Sequence, residues 1–135
     1  VVYRVTMGGA FVIYVCVVIF VTLGMRQLWT VHDLKLHPFW SYETVIRTGN
    51  PEMLIENIAN IALFFPLGVF IRDRWENRSR WQYCILTAFC CSFTIECLQL
   101  IFGLGTFEVD DMIHNTLGAV LGYLSARKIQ QLAAQ

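Results

Sequence analysis

Four long apolar segments divide this sequence and constrain its fold more than any other feature. They cover residues 5–23, 53–71, 81–102 and 111–126. The first carries no charge and, at about 1.5 Å per residue, would extend about 28 Å as a helix, enough to cross a bilayer core of about 30 Å. A cleaved signal peptide is the alternative for this segment, but its length and the lack of a small-residue cleavage site favour a retained helix. The sequence predicts an all-α membrane protein, a bundle of four transmembrane helices forming a single domain over residues 1–135.

The composition excludes several functional classes. Hydrophobic residues make up 56% of the chain and charged residues 15%, which is outside the usual range of soluble domains. The formal net charge is zero and the basic residues fall in short clusters, so we expect no nucleic acid partner. All five cysteines lie inside apolar segments, where a thiol acts as a small hydrophobic group. We therefore expect no disulfide framework, metal site or cofactor.

Residues 27–52 interrupt the apolar pattern with charges, histidines and aromatic rings. Rings with a polar edge, such as Trp40 and Tyr42, are typical of the water boundary of a membrane. The pattern predicts an interfacial loop that includes a short surface helix. His32 and His37 are five residues apart, which matches no helical face, so they are not expected to bind a metal.

The basic residues predict how the chain is oriented in the membrane. The connector between the second and third segments and the end of the fourth carry most of them: Arg72, Arg74, Arg78, Arg80, Arg127 and Lys128. Because cytoplasmic loops are enriched in Lys and Arg, we expect this connector and both termini inside the cell. Alternating crossings then place the start of the second segment, the end of the third and the start of the fourth on the outer side.

Polar side chains from these three segments therefore converge at one depth in the outer leaflet. Glu96 lies about 9 Å inside the end of the third segment, where an unpaired carboxylate would cost about 2.5–3.5 kcal/mol. We predict a ligand-binding site here, with these candidate residues: Glu96, Gln99, Asp110, Asp111, Asn115, Asn57 and Asn60. The structural alternative is that the same groups join helices by hydrogen bonds and that the two aspartates cap a helix.

Small residues and a proline mark positions where helices can approach closely. Gly118 and Gly122 form a small-xxx-small pair on one face of the fourth segment. Pro66 removes a backbone hydrogen bond and is expected to kink the second segment beside Gly68. Ser92 shares a face of the third segment with Glu96 and is assigned to helix packing together with these residues.

Three ordered motifs resemble the VanZ-like family. They are N-x-x-N-x-x-L-F-x-P-L-G at 57–68, E-x-x-Q at 96–99, and F-E-V-D-D-M-I-H-N-T-L-G-A-x-x-G-Y at 107–123. The resemblance implies a small protein of the bacterial cytoplasmic membrane, and the founding member of the family is associated with resistance to the glycopeptide teicoplanin. Many members carry an Arg before the third motif and Asp after its Phe, whereas Thr106 and Glu108 flank Phe107 here. His114 also stands where an aliphatic residue is more usual.

The leading hypothesis is a non-enzymatic binding protein that contributes to teicoplanin-type resistance. A membrane lipid, a lipid-linked wall precursor or a lipoglycopeptide would place its tail in the bilayer and its polar group against the site, with Glu96 recognising a donor or cation. One alternative is a membrane-embedded enzyme in which Glu96 and Asp110 or Asp111 act as general acid and base on a lipid-linked substrate. Another is a transporter or scaffold subunit. Four helices are few for alternating access, so that alternative needs a homo-oligomer.

Overall fold

The computed structural model describes residues 2–25, 33–74 and 81–135 of the chain. Within them, α1 (Val2–Ile19) continues into a π-helical turn, Phe20–Gly24, and is followed by α2 (Trp40–Thr48), α3 (Glu52–Arg74), α4 (Trp81–Ile101) and α5 (Val109–Ala133). Two short strands, β1 (Leu34–Lys35) and β2 (Phe107–Glu108), pair in parallel, with Leu34 opposite Phe107 and Lys35 opposite Glu108. The described fold is predominantly helical, as the apolar segments predict.

The helices differ from the predicted segments mainly at their ends. α3 extends to Arg74 and α5 to Ala133, although the apolar pattern ends at residues 71 and 126. An apolar pattern marks only the part of a helix that contacts lipid or core, and a helix continues into water where its residues still favour it. The predicted loop over 27–52 contains α2 as its surface helix. Trp29, His32 and the connector arginines beyond Arg74 lie outside the described residues.

Three of the described helices are long and apolar enough to cross a membrane: Val5–Gly24, Glu52–Arg74 and Trp81–Ile101. α5 is not among them; it carries Asp110 and Asp111 in its first turn and Arg127 and Lys128 further along. Only 6% of the apolar window of the first helix is buried, against 28% in each of the other two. α1 therefore lies at the edge of the bundle.

α3 and α5 run in the same direction with their backbones in direct contact. The carbonyl of Ile61 faces Gly118, and the carbonyl of Phe65 faces Gly122 one turn later. A Cβ atom on either glycine would overlap the facing carbonyl oxygen, and a Cβ on Gly68 would overlap that of Ala119. α3 is helical through Pro66. The buried core beside this contact consists of Phe64, Leu67, Ile71, Cys84, Ala88, Ala119 and Tyr123.

α1 and α4 run opposite to this central pair. Tyr14 Oη donates a hydrogen bond of 2.9 Å to the Leu63 carbonyl, and the Phe11 ring meets Phe70 edge-on at 5.3 Å between centroids. The buried face of α4 follows α5 in reverse order, since Cys84 contacts Ala119 and Ser92 contacts Asn115. The starts of α3 and α5 and the end of α4 therefore lie at one end of the bundle, which we call the polar end.

Candidate functional site

Asp110 binds the start of α2 through its carboxylate. Its side chain is buried, and it accepts hydrogen bonds from the backbone N–H of Phe39, from the Ser41 N–H at 3.0 Å and from Ser41 Oγ at 2.6 Å. Phe39 is the residue preceding α2 and has a positive φ of 66°. A carboxylate that accepts bonds from the first N–H groups of a helix also neutralises the positive end of its dipole. Asp110 therefore caps α2, although it lies in the first turn of α5.

Further polar contacts extend from this cap to α3 and α5. Asn57 Nδ2 donates to Ser41 Oγ at 3.0 Å. His114 Nδ1 lies 2.6 Å from the Asp110 carbonyl, and its Nε2 lies 2.7 Å from Tyr42 Oη. Because a carbonyl only accepts, His114 Nδ1 donates to the Asp110 carbonyl. These buried bonds hold α2 across the polar end of the bundle.

Glu96 holds the strand that leads into α5. Its carboxylate is buried and accepts the backbone N–H of Glu108 at 2.8 Å. The Glu108 carboxylate lies 3.0 Å from Lys35 Nζ, which in turn lies 3.7 Å from the centre of the Trp40 ring. The pairing of β1 with β2 places Lys35 opposite Glu108. Lys35 thus supplies a cation beside Glu108, the residue that follows Phe107 in the third motif.

Two buried amides at this end keep an acceptor without a hydrogen-bond partner. Gln99 Nε2 donates to the Thr22 carbonyl at 2.9 Å, and Asn115 Nδ2 donates to Ser92 Oγ at 2.8 Å. Within the described part of the chain, no donor binds Gln99 Oε1 or Asn115 Oδ1. An unsatisfied buried acceptor is unfavourable by about 1–3 kcal/mol, so a donor from a ligand or water would be stabilised at either position.

The predicted site residues thus form several local contacts instead of one cluster. Asn57 and Asp110 meet at Ser41, Asn115 pairs with Ser92, and Glu96 and Gln99 bind other segments. Asn60 and Asp111 are half-buried near the starts of α3 and α5. In residues 2–25, 33–74 and 81–135, no three His, Cys, Asp or Glu side chains are grouped as metal ligands would be.

Sequence reasoning missed Ser41, Tyr42 and Lys35 as parts of this end of the molecule. All three lie between the first and second apolar segments, in β1 and α2, where no apolar periodicity indicates which side chains turn inward. His114 is the residue from which polar partners at this end could have been inferred, because an imidazole inside an apolar helix requires them.

An apolar cleft of about 410 Å³ opens between α1, α3 and α4 and approaches the polar end. Its volume falls within the range of about 300–1,000 Å³ that is typical of small-molecule sites. Its lining includes Tyr14, Val18, Thr22, Phe64, Cys91 and Ile95. Thr22 is also the residue whose carbonyl accepts the hydrogen bond from Gln99. Thr22 therefore connects the lining of the cleft to a buried amide with an unpaired acceptor.

Comparison with known proteins agrees with the resemblance seen in the motifs. The family described as VanZ/LLP1 matches residues 11–130, which is most of the chain. Protein VanZ of Enterococcus faecium is 28% identical over 93 residues, which cover 67% of this chain and 50% of that protein. The chain thus spans about half the length of this curated relative. No solved structure matches the chain. The three motifs and the match over residues 11–130 show that the chain belongs to the VanZ/LLP1 family.

Proposed function

We propose that this chain is a non-enzymatic protein of the bacterial cytoplasmic membrane that binds an amphipathic cell-envelope molecule and thereby contributes to teicoplanin-type glycopeptide resistance. Family membership supports the setting, and the relative named Protein VanZ supports the link to resistance. The ligand class comes from the geometry of the cleft that ends at Thr22.

The observation that carries this proposal is the junction between an apolar cleft and unpaired polar groups. The apolar cleft between α1 and α4 has room for a ligand tail. Because α1 lies at the edge of the bundle, a tail can enter this cleft from the lipid. Behind Thr22, which lines the cleft, Gln99 donates to the Thr22 carbonyl, and its Oε1 is buried without a donor among the described residues. A polar head group that donates a hydrogen bond there removes the penalty of the unsatisfied acceptor. Lipid-linked wall precursors and lipoglycopeptides both combine an apolar chain with many such donors.

The candidate residues take two different roles in this proposal. Gln99 and Glu96, neighbours on the buried face of α4, recognise the polar group of the ligand. Asp110 and Asn57 keep α2 fixed above them, so that the site is preformed. Asn115, with its own unpaired acceptor, together with the half-buried Asp111 and Asn60, completes the polar surroundings.

The proposed orientation has four crossings, the polar end outside and both termini in the cytoplasm. α5 accompanies α3 from the Ile61–Gly118 contact to the hydrogen bond of 2.7 Å from Arg72 Nε to Gln130 Oε1. A helix that follows a membrane-spanning helix over this length supports a fourth crossing. The basic residues in the last turns of α3 and near the end of α5 then lie inside, as the positive-inside rule favours.

The alternative of a carboxylate-based enzyme receives less support from the contacts. The Asp110 carboxylate is buried and accepts three hydrogen bonds from the start of α2. A general acid or base must reach the atom of the substrate that gains or loses a proton. The contacts of Asp110 favour its structural role as a cap.

Susceptibility to teicoplanin in cells that express Glu96→Gln tests the polar half of the site. The amide of this variant retains an oxygen that can accept the Glu108 N–H, so the variant should fold, but it loses the charge. We expect wild-type expression to raise the minimal inhibitory concentration and Glu96→Gln to return it to the background at equal protein level. The matched control is Glu56→Gln, since Glu56 lies in the first turns of α3 but is exposed. Full resistance in the Glu96→Gln strain would remove this carboxylate from the mechanism.

The apolar half is tested by closing the cleft with a larger side chain. Val15 lines the cleft, whereas Ile13 on the same helix does not and is 67% exposed. We expect Val15→Trp to abolish binding of an acylated glycopeptide to the full chain in nanodiscs and Ile13→Trp to leave it unchanged. A glycopeptide without the acyl chain should bind weakly to both variants and to the wild type. Equal binding of the two glycopeptides to the wild type would contradict a tail site.

A further inference from the structure

A second apolar cleft lies along the same seam, toward the end of the bundle opposite to the polar end. Its volume is about 440 Å³, and α1, α3 and α4 all contribute to its walls. Its lining includes Gly8, Phe11, Phe70, Ile71, Arg74 and Thr87. Phe11 and Leu67 line both clefts, so they separate this cleft from the one that ends at Thr22.

Gly8 and the aromatic contact beside it keep this second cleft open. Apart from its two chain neighbours and the local helix backbone, no atom of the described residues lies within 4 Å of the position that a Cβ on Gly8 would occupy. One turn later, the edge-on contact of Phe11 with Phe70 fixes the separation of α1 from α3. The space beside Gly8 is therefore unfilled by side chains of the described residues that line it.

Among the described residues that line this cleft, Arg74 is the one with a charged side chain. It is exposed and is the last residue of α3. An arginine at this position can lay its aliphatic stem along the apolar wall and hold its guanidinium at the level of the lipid head groups. A guanidinium also binds a phosphate with two parallel hydrogen bonds. An apolar cleft with a cation in its lining has the shape and charge that complement a lipid with an anionic head group.

We propose that this cleft binds an anionic phospholipid, with one acyl chain between α1 and α4 and its phosphate at Arg74. The site is separate from the one proposed above, and it uses the leaflet at the opposite end of the bundle. Only 6% of the apolar window of the first helix is buried within the protein. A bound acyl chain would fill the space that the protein leaves open beside α1.

Native mass spectrometry of the purified full chain in detergent tests this site, with phosphatidylglycerol and phosphatidylcholine of identical acyl chains as probes. One cation at the membrane surface favours an anionic lipid by about fivefold, so we expect phosphatidylglycerol to bind the wild type with a dissociation constant about fivefold lower. Arg74→Gln should bring the two constants to within about twofold of each other. Lys128→Gln, an exposed change on α5, should retain the preference.

The apolar part of the site is tested with two neighbouring glycines. Gly8→Leu should fill the cleft and weaken the binding of both lipids, because Gly8 lines it. Gly9→Leu adds the same side chain one residue away, where a Cβ also meets nothing within 4 Å, and should bind both lipids as the wild type does. Equal affinity of the wild type for the two lipids, or an undiminished preference in Arg74→Gln, would overturn the proposal. Lipid binding by Gly8→Leu at the wild-type level would place the lipid elsewhere.

Discussion

Asp110 shows how a single buried side chain organises the polar end. It lies in the first turn of α5, but its carboxylate binds Ser41, which precedes it by 69 residues. The aspartate pair at the start of α5 is typical of a helix N-terminus, and the structure begins α5 at Val109. The helix that Asp110 caps is nevertheless α2. One carboxylate therefore joins the surface helix to the bundle.

Replacing Asp110 by Asn should loosen α2 without displacing α5. Both carboxylate oxygens of Asp110 accept hydrogen bonds, and asparagine replaces one of them by an N–H₂ group that cannot accept. At least one of the three hydrogen bonds is therefore lost. Hydrogen bonds to charged groups contribute about 1.5–3 kcal/mol, and we expect the free energy of unfolding to fall by about this amount. Hydrogen exchange of the Phe39 and Ser41 amides should accelerate.

The control for this variant is Asp33→Asn, which makes the same chemical change at an exposed residue of the loop. Asp33 Oδ1 accepts the N–H of its neighbour Leu34 at 2.8 Å, and an amide oxygen can retain that bond. In Asp33→Asn, the exchange rates of the Phe39 and Ser41 amides and the free energy of unfolding should match those of the wild type. If Asp110→Asn left the α2 amides as protected as before, the cap would not be what holds this helix.

At the scale of secondary structure, the contact between α3 and α5 is the tightest in the described bundle. Gly68 on α3 and Gly118 and Gly122 on α5 each face a carbonyl group of the opposite helix. Lipid tails are as apolar as the side chains of a helix, so moving these side chains from lipid to a helix interface brings no hydrophobic gain. Helices in a membrane therefore associate through close packing of this kind. The small-xxx-small pair in the sequence predicts a close approach, and the coordinates identify α3 as the helix that makes it.

Gly122→Ala should destabilise the protein because its methyl group would overlap the Phe65 carbonyl. Overpacking of this kind is unfavourable by about 1–3 kcal/mol, and thermal unfolding in detergent should show the loss. Gly9→Ala is the matched control, because a Cβ there meets nothing within 4 Å. That variant should be unchanged or slightly more stable, since Ala favours a helix over Gly by about 0.5–1 kcal/mol. Equal stability of the two variants would mean that α3 and α5 are not in backbone contact.

At the scale of the whole molecule, the directions of the helices bring the polar groups to one end. α3 and α5 begin there and α4 ends there, so side chains from three segments share a depth although they are far apart along the chain. The same arrangement leaves α1 at the edge, with an apolar cleft toward each end of its seam with α3 and α4.

Labelling of introduced cysteines tests the orientation of this arrangement in the membrane. Ile46 on α2 is 84% exposed at the polar end, and Gln131 is exposed near the other end of α5. With the polar end outside, a membrane-impermeant maleimide should label Ile46→Cys in intact cells and Gln131→Cys only after permeabilisation. The unaltered chain is the blank, because its five cysteines lie inside apolar segments. The reverse labelling pattern would place the termini outside.

The sequence by itself determined the helical, membrane-compatible character of the chain and its family. Both are local properties: the length of an apolar segment can be compared directly with the bilayer, and a motif is read in order along the chain. The need for a partner at Glu96 also followed locally, since a charge at that depth is unfavourable alone. The coordinates supply that partner in the N–H of Glu108.

Only the tertiary structure decided which groups meet. Asp110 meets Ser41, Gln99 meets the carbonyl of Thr22, and Lys35 meets Glu108. Each pair joins segments that are remote in the sequence. Which partner a polar group meets therefore depends on how all the intervening helices pack. For the same reason the clefts beside α1 could not be foreseen, because a cleft is the space that packed side chains leave open, and no single segment of sequence encodes it.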